Sequence, residues 1–465
     1  MSLNLDSNII KEISYYTGEP SWISQQRYKA WELFNKLPIE ISPLYVKHHD
    51  ITKVNFSEPQ FFIKSEIKRL SEIDELLSQI NSMPYVCLID GQIYIINIPE
   101  PLKEKGLVIY SIQDLLRDEE NAKKLFSMKN LRSEEDKFIA LNDALFSSGF
   151  YINIPSGLIL KLPLRIINFQ SEEGKLSVVK NFINVGEDSR LTILEENYSL
   201  KEDSKQSLYS VNLNLNLNEA AEIEYILIND FNKQTNYFIN RRASCNKDSR
   251  ITWVILNFGS LTTRAKTDNA MNQQGVISNM NEIIVGDSDQ VFDLTTYLSH
   301  NAPFTKGVSM TKGVLKDQAR ALLKGMILIQ ENAKNADAYL AEHAMILNRG
   351  ARADSIPGLE IKNNEVRATH SASVAQVDEE QIFYLMARGL SEREAKKLLT
   401  IAFFQPLIDQ IPAELIKEEI ANLIENKLEN RRRSLKEKFI ITEELKEIKT
   451  ISPEKLFETH YKYRK

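Results

Sequence analysis

From Phe150 to about Val377, apolar and polar residues tend to alternate. The cleanest run is Val211-Asn-Leu-Asn-Leu-Asn-Leu-Asn218. A helix with that order would scatter its leucines around the whole surface, whereas a strand puts every leucine on one face. Similar runs lie at 158–167, 176–185, 191–194, 223–228, 251–256, 282–285, 291–297, 321–329 and 344–347. Turns rich in Gly, Asn and Asp separate them, such as Gly186-Glu-Asp-Ser and Gly286-Asp-Ser-Asp. Many short strands in succession make a sandwich, a barrel or a β-solenoid, and the turns are too irregular to give a repeat length. The shortness of the runs favours a solenoid. So does asparagine beside apolar positions, where stacked side chains form ladders.

The period changes on both sides of this region. Before it, a helix is predicted over 25–37, with Tyr28, Trp31 and Phe34 on one face, and a polar helix over 65–80. Strands at 85–89 and 92–98 flank Asp90-Gly91, a two-residue hairpin signal. A short strand over 107–110, a helix over 111–129 and an apolar helix over 137–149, ending near Gly149, complete this part. After Val377 the chain reads as helices. Asp378 with Gln381 opens the first and Gly389 closes it. Ser391 with Glu394 opens the second, which is expected to bury Ala395, Leu398, Leu399, Ala402 and Phe403 and to be limited by Pro406 and Pro412. A third, over 413–428, has Ile416, Ile420, Leu423, Ile424 and Leu428 on one stripe. The predicted organisation is an α/β region at 1–136, a β core at 137–377, a helical domain at 378–428 and a charged tail at 429–465.

Composition narrows the function. The chain is 43% hydrophobic and 26% charged, ordinary for a soluble globular protein, with a net charge of −6 that makes no global case for nucleic acid. Only the end departs: from Lys427 to Lys465 there are 12 Lys+Arg against 7 Asp+Glu, densest at Arg431-Arg432-Arg433. A solvated helical extension accounts for such a run, with a docking or nucleic-acid role as the alternative. The N-terminus has no signal-peptide pattern, and no stretch is long and apolar enough for a membrane span. Two cysteines, Cys87 and Cys245, exclude a disulfide scaffold and a four-cysteine zinc site within one chain, so a cytoplasmic protein with reduced thiols is expected. There is no G-x-S-x-G elbow, no H-E-x-x-H and no Walker A loop, so energy from ATP must come from a partner. A glycosidase pair has no fixed spacing and escapes a motif search. A β-helix carbohydrate-active hydrolase or lyase is therefore the alternative, by fold analogy alone.

Three stretches carry a resemblance. Asp354-Ser-Ile-Pro-Gly-Leu-Glu-Ile361, Val366-Arg-Ala-Thr-His-Ser-Ala-Ser373 and Asp378-Glu-Glu-Gln-Ile-Phe-Tyr-Leu-Met-Ala-Arg-Gly-Leu-Ser-Glu-Arg-Glu-Ala395 resemble the SufB/SufD family of iron–sulfur cluster assembly scaffolds. The segment around Glu19-Pro20-Ser21-Trp22 resembles the N-terminal helix of the SufB branch. The resemblance implies a right-handed parallel β-helix whose sheets pair with a second family member, a SufB-type chain or another copy. It implies a helical domain that caps the β-helix and docks a SufC-type ABC ATPase, for which Gln381, Phe383, Tyr384, Arg388, Leu398 and Phe403 are the candidate contacts. It implies no enzymatic activity in the chain itself. The expected cofactor is a transient iron–sulfur cluster at the complex interface, with none held tightly by this chain alone. His370 matches the histidine of the family's last β-helix segment, and neutral imidazole is a sound iron ligand. His300, in Tyr-Leu-Ser-His-Asn-Ala-Pro, matches a recurrent family segment and is expected to be hydrogen-bonded in a solenoid turn.

The departures are informative. Counting back from Pro357 to the place where SufB receives sulfur on a cysteine gives Glu342, followed by His343. Neither accepts sulfane sulfur as a thiolate does. Both are candidate interface or iron-ligating groups, with a surface strand pair as the simpler reading. SufB has a glutamate after the histidine where this chain has Ser371, and many SufD-like members have a cysteine where it has Ala368. At these positions the chain is closer to SufD.

Overall fold

The computed structural model describes residues 5–63, 69–126, 131–202, 204–409, 411, 414–431 and 433–439, with the side chains of 414–416 left out. Arg432, Pro412, the side chain of Ile416 and the tail beyond Phe439 lie outside the described residues.

The centre is a two-sheet β-solenoid of about eight turns. Successive strands alternate between the sheets, so each pairs in parallel with the strand one coil later. The front sheet runs from Phe150–Ile154 through Lys175–Val185, Ser207–Leu217, Thr235–Cys245, Thr262–Met271 and Val291–His300 to Arg320–Ile329. The back sheet runs from Leu164–Gln170 through Arg190–Ser199, Glu222–Asp230, Arg250–Asn257, Ile277–Gly286, Lys306–Leu315 and Asp337–Ile346 to Arg367–Gln376. Inward side chains of both sheets fill one lumen, including Ile193, Tyr225, Trp253, Leu294 and Leu340. The expected alternation holds: Leu213, Leu215 and Leu217 face this core, while Asn212 and Asn214 reach Asp143 and the Leu131 amide outside it. An asparagine ladder is present, Asn216 donating to Asn184 at 2.8 Å and Asn184 to Asn153 at 2.9 Å.

The strands differ from expectation in length. Most have seven to eleven residues, and 282–285 and 344–347 are only the apolar parts of Ile277–Gly286 and Asp337–Ile346. Thr235–Cys245, Thr262–Met271 and Lys306–Leu315 were not predicted at all. A repeat does exist: Thr262 pairs with Val291 and Val291 with Arg320, while other coils run from Asn236 to Thr262 or from Leu176 to Leu208. Coil length drifts by several residues, which hid the repeat.

The N-terminal hairpin is as predicted, Tyr85–Ile89 against Gln92–Asn97 with Asp90 and Gly91 both at positive φ. It joins the back sheet beside Leu164–Gln170, and Val108–Ser111 joins the front sheet antiparallel to Phe150–Ile154. Helices Asn8–Thr17, Ser21–Lys36 and Lys137–Leu145 cover the front sheet's outer face. The second of these buries Ile23, Arg27, Ala30 and Phe34; Tyr28 and Trp31 are half-buried. Within the described residues the predicted helix over 65–80 is Ser71–Ser78 and that over 111–129 divides into Ile112–Arg117 and Glu119–Phe126; positions 65–68 and 127–129 lie outside them. Gly149 does not cap the helix before it. A Cβ there would lie 1.9 Å from the Lys180 carbonyl oxygen, so glycine lets two backbones meet.

The C-terminal helices Glu379–Met386, Glu392–Ile408 and Glu414–Leu428 do not cap the solenoid. The latter two lie back along the outer face of the back sheet, where Phe404, Leu407, Ile420 and Ile424 pack on Ile226, Val254, Ile283 and Val308. The capping box of Ser391 and Glu394 is present. Pro406 sits inside its helix instead of limiting it. The buried stripe there is Ala395, Thr400, Phe404, Leu407 and Ile408, so Leu398 and Ala402 are exposed and Leu399 and Phe403 only half-buried.

Candidate functional site, an open solenoid end

Among the described residues both sheets stop at the C-terminal end without a covering element. The last back-sheet strand, Arg367–Gln376, pairs on one side only and is exposed along most of its length. The last front-sheet rung is broken at Ile356-Pro357 into Arg352–Ser355 and Gly358–Ile361, both on Arg320–Ile329. Leu359, Ile361 and Val374 stay 39%, 43% and 44% exposed. They stand in register with Ile327, Ile329 and Ala344, all lumen residues. The lumen therefore ends in an apolar mouth between two unpaired strand edges. Long edges of this kind are templates for further pairing.

His370 stands at this mouth. It is opposite Leu340, so it shares the lumen-facing parity, yet it is exposed because no coil follows among the described residues. Glu342 and His343 face opposite ways, as neighbours in a strand must. Glu342 is not a surface residue. It is 4% exposed among Leu340, Ala344 and Ile346, and the Ser355 hydroxyl donates to its carboxylate just before the break in the last rung. Burial pushes its carboxyl up to about 7, and Glu282 adds to the effect. His343 lies outside, its Nδ1 2.6 Å from the Ser373 hydroxyl, and Ser371 is 3.1 Å from the Tyr339 hydroxyl. The structure thus brings Glu342 and His370 to one side of the sheet and leaves His343 on the other. Among the described residues no group of three His, Cys, Asp or Glu side chains is placed to hold a metal.

Helix Glu379–Met386 follows the edge strand directly. Asp378 caps it, accepting from the amides of Glu380 and Gln381. Only Ile382 is buried. Phe383 is 73% exposed, Tyr384 has the Arg388 guanidinium 4.7 Å from its ring centroid, and Leu398 on the next helix is 48% exposed. Gln381, Phe383 and Tyr384 line a shallow groove with Leu385 and Leu399. Phe403 is set apart, its carbonyl accepting from Lys312 on the solenoid at 2.7 Å.

A family model described as SUF system FeS cluster assembly, SufBD core domain, matches residues 168–403. The chain belongs to the SufBD family. It is similar to the iron–sulfur cluster assembly protein SufD of Bacillus subtilis, 25% identical over 440 residues, covering 92% of this chain and 98% of that one. SufBD family proteins of Staphylococcus aureus and Staphylococcus haemolyticus are 24% and 25% identical over 429 residues, covering 89% of this chain and 91% of theirs. Within the SufBD family the chain is SufD-like.

The SufBD core spans most of the solenoid and ends on helix Glu392–Ile408. Neither cysteine serves the site. Cys87 and Cys245 are fully buried, and burial raises both thiols, Cys245 to about 12, so neither offers a thiolate. His300 is held as expected, its Nδ1 2.8 Å from the Thr305 hydroxyl in the following turn, and burial lowers it to about 3. The sequence reading missed the apolar mouth. Leu359, Ile361 and Val374 are ordinary strand residues, and only the absence of a further coil makes them a surface. Of the carboxyls that burial raises to about 7, Glu282 and Glu342 lie inside the lumen and Glu224 is buried on the outer side of the back sheet. Among the described residues no helix is long and apolar enough to cross a membrane.

Proposed function

We propose that this SufD-like chain is a non-catalytic scaffold half in iron–sulfur cluster assembly, pairing through its open end with a SufB-type chain or a second copy and docking a SufC-type ATPase on its C-terminal helices. The observation that carries this reading is the conjunction of two unpaired sheet edges with an apolar mouth. A second solenoid end placed there continues both sheets and covers the exposed core. The bared Phe383, Tyr384 and Leu398 beside it suit a hydrophobic partner surface. Because helix Glu379–Met386 follows the edge strand after two residues, force on the helix is transmitted to the edge. Nucleotide binding to a docked ATPase then favours one arrangement of the scaffold pair over another, as a two-state switch requires. His370 supplies one imidazole ligand to a nascent cluster at the joint, and the remaining ligands come from the partner.

The test is coexpression with a SufB-type and a SufC-type chain, followed by size-exclusion chromatography. Ala372→Pro, which removes an amide from the edge strand, is expected to abolish scaffold pairing and leave ATPase binding intact. The Phe383→Ala, Leu398→Ala double variant is expected to do the reverse. A wild-type chain that elutes alone under all combinations overturns the proposal. His370→Ala in the assembled complex is expected to lower the yield of bound iron and sulfide, and an unchanged yield removes His370 from the chemistry.

A further inference from the structure

Four arginines stand among the largest fully buried side chains: Arg27, Arg165, Arg241 and Arg264. Three have a carboxylate partner, Glu19, Glu196 and Asp136 respectively. Arg241 does not. It points into the lumen from Thr235–Cys245, on the side of Ile239 and Ala243, in register with Leu213 and Thr267. It is 1% exposed, and none of its three guanidinium nitrogens has a hydrogen-bond partner. The Trp253 ring centroid lies 5.9 Å from the guanidinium carbon.

A guanidinium cannot discharge itself, so its charge stays in the lumen and requires a counter-charge. Two carboxyls, Glu195 and Glu282, feel it electrostatically. Each is engaged elsewhere. Glu195 accepts from the Tyr225 hydroxyl at 2.6 Å and Glu282 from the Asn257 amide at 2.8 Å. Burial raises both carboxyls, Glu282 to about 7, which weakens them as counter-ions at neutral pH. One further donor faces this region: the Tyr237 hydroxyl accepts from the Asn197 side chain, feels both Arg241 and Glu195, and has no acceptor for its own proton. Trp253 is already committed, donating to Asn269 at 2.8 Å.

We propose that Arg241, with Tyr237 as a further donor, forms an internal binding site for a small monovalent inorganic anion of the halide class. The anion neutralises the guanidinium and gives the idle N–H and O–H groups an acceptor. Enclosed by packed coils, it enters when the solenoid folds or breathes, so it acts as a structural ion. This site is independent of the open end and of any partner.

The test uses the full chain carrying Trp22→Phe and Trp31→Phe, which leaves Trp253 as the only tryptophan. Samples are equilibrated in gluconate and titrated with bromide at constant ionic strength. The expected result is a saturable quench of Trp253 fluorescence together with a saturable rise in Tm. With Arg241→Met added, both responses are lost, and in gluconate this variant melts above its parent because an unpaired buried charge is gone. A parent whose fluorescence and Tm respond to bromide no more than those of Arg241→Met overturns the proposal, with water satisfying the guanidinium. An Arg241→Met chain that melts below its parent in gluconate also overturns it, since an ionised Glu195 or Glu282 is then the counter-charge. Should Arg241→Met not fold, crystals of the unaltered chain grown in bromide decide. An anomalous peak within hydrogen-bond distance of Arg241 is expected, and its absence overturns the site.

Discussion

Over the coils from Arg250 to Ile329 the outer faces of the two sheets are covered by different physics, whereas nearer the N-terminal end the front face carries an apolar cluster and the back face the buried Arg165–Glu196 pair. On the front sheet, Arg264 pairs with Asp136 at 2.6 Å, Lys266 with Asp136 and Glu40 at 2.8 and 3.0 Å, and Lys324 with Asp293 at 2.6 Å, all buried or nearly so. Part of this network belongs to a strap at 37–63 that crosses the strands, where the Tyr45 hydroxyl donates to the Gly325 carbonyl and the Asp50 amide to Asp293. On the back sheet the helices bring Phe404, Leu407 and Ile424 onto Val254, Ile283 and Val308. Ion pairs are directional and fix where each segment of the strap lies. Apolar contacts are not directional, and they set area more than register. The difference teaches that a buried ionic face breaks sharply when one partner goes, while an apolar face loses stability in proportion to what is removed.

The largest expected effect is Asp136→Ala, which leaves Arg264 buried without its ion-pair partner and Lys266 with Glu40 alone, and costs ~4 kcal/mol in urea unfolding. A loss below ~1 kcal/mol would mean the network is solvated. Phe404→Ala on the other face is expected to cost ~3 kcal/mol, with an unchanged pH profile. The pH profile sharpens the contrast further. Burial raises Asp136, but Arg264 and Lys266 outweigh it and hold the carboxyl well below the usual range. Its contribution is present above the unfolded carboxylate pKa and is lost as pH falls through the folded one. The lumen carboxyl of Glu342 has the opposite sign. Its pKa rises on folding to about 7, so stability is greatest below about 4.5 and declines as pH rises to 7. Glu342→Gln should remove up to ~3 kcal/mol of that decline, which denaturation at pH 4.5 and 7.5 would reveal. Equal wild-type and variant profiles would place Glu342 in contact with water. The smallest effect is Phe383→Ala, under ~0.5 kcal/mol because that side chain is exposed. A larger loss would mean the C-terminal helices depend on it for packing.

The same contrast decides what was legible in the sequence. Ser207–Leu217 was readable because leucine and asparagine alternate along most of it, and the Asp90-Gly91 hairpin because its turn needs two residues at positive φ. Thr262–Met271, with the sequence TTRAKTDNAM, was not. Its outward Arg264, Lys266 and Asp268 are charged, and its inward residues include Thr263, Thr267 and Asn269, so neither face looks apolar although both are buried. Helix Glu392–Ile408 was found, but its face was misjudged, since Thr400 is buried and Leu398 is not. The position of Glu342 was legible and passed over. Ala338, Leu340, Ala344 and Ile346 alternate around it and put it in the lumen, with His343 outside. The open end was not legible, because a surface created by the end of a repeat leaves no mark in composition.

The antiparallel strands at the other end have a consequence for stoichiometry. Gln92–Asn97 closes the back sheet and the four-residue Val108–Ser111 the front sheet, each reversed in direction relative to the coils. A third solenoid arriving there would meet two strands running the wrong way for the parallel stack. Under the pairing proposed above, parallel stacking therefore continues from the open pole and stops at this one. A rod with a single growing pole makes closed pairs and no filament.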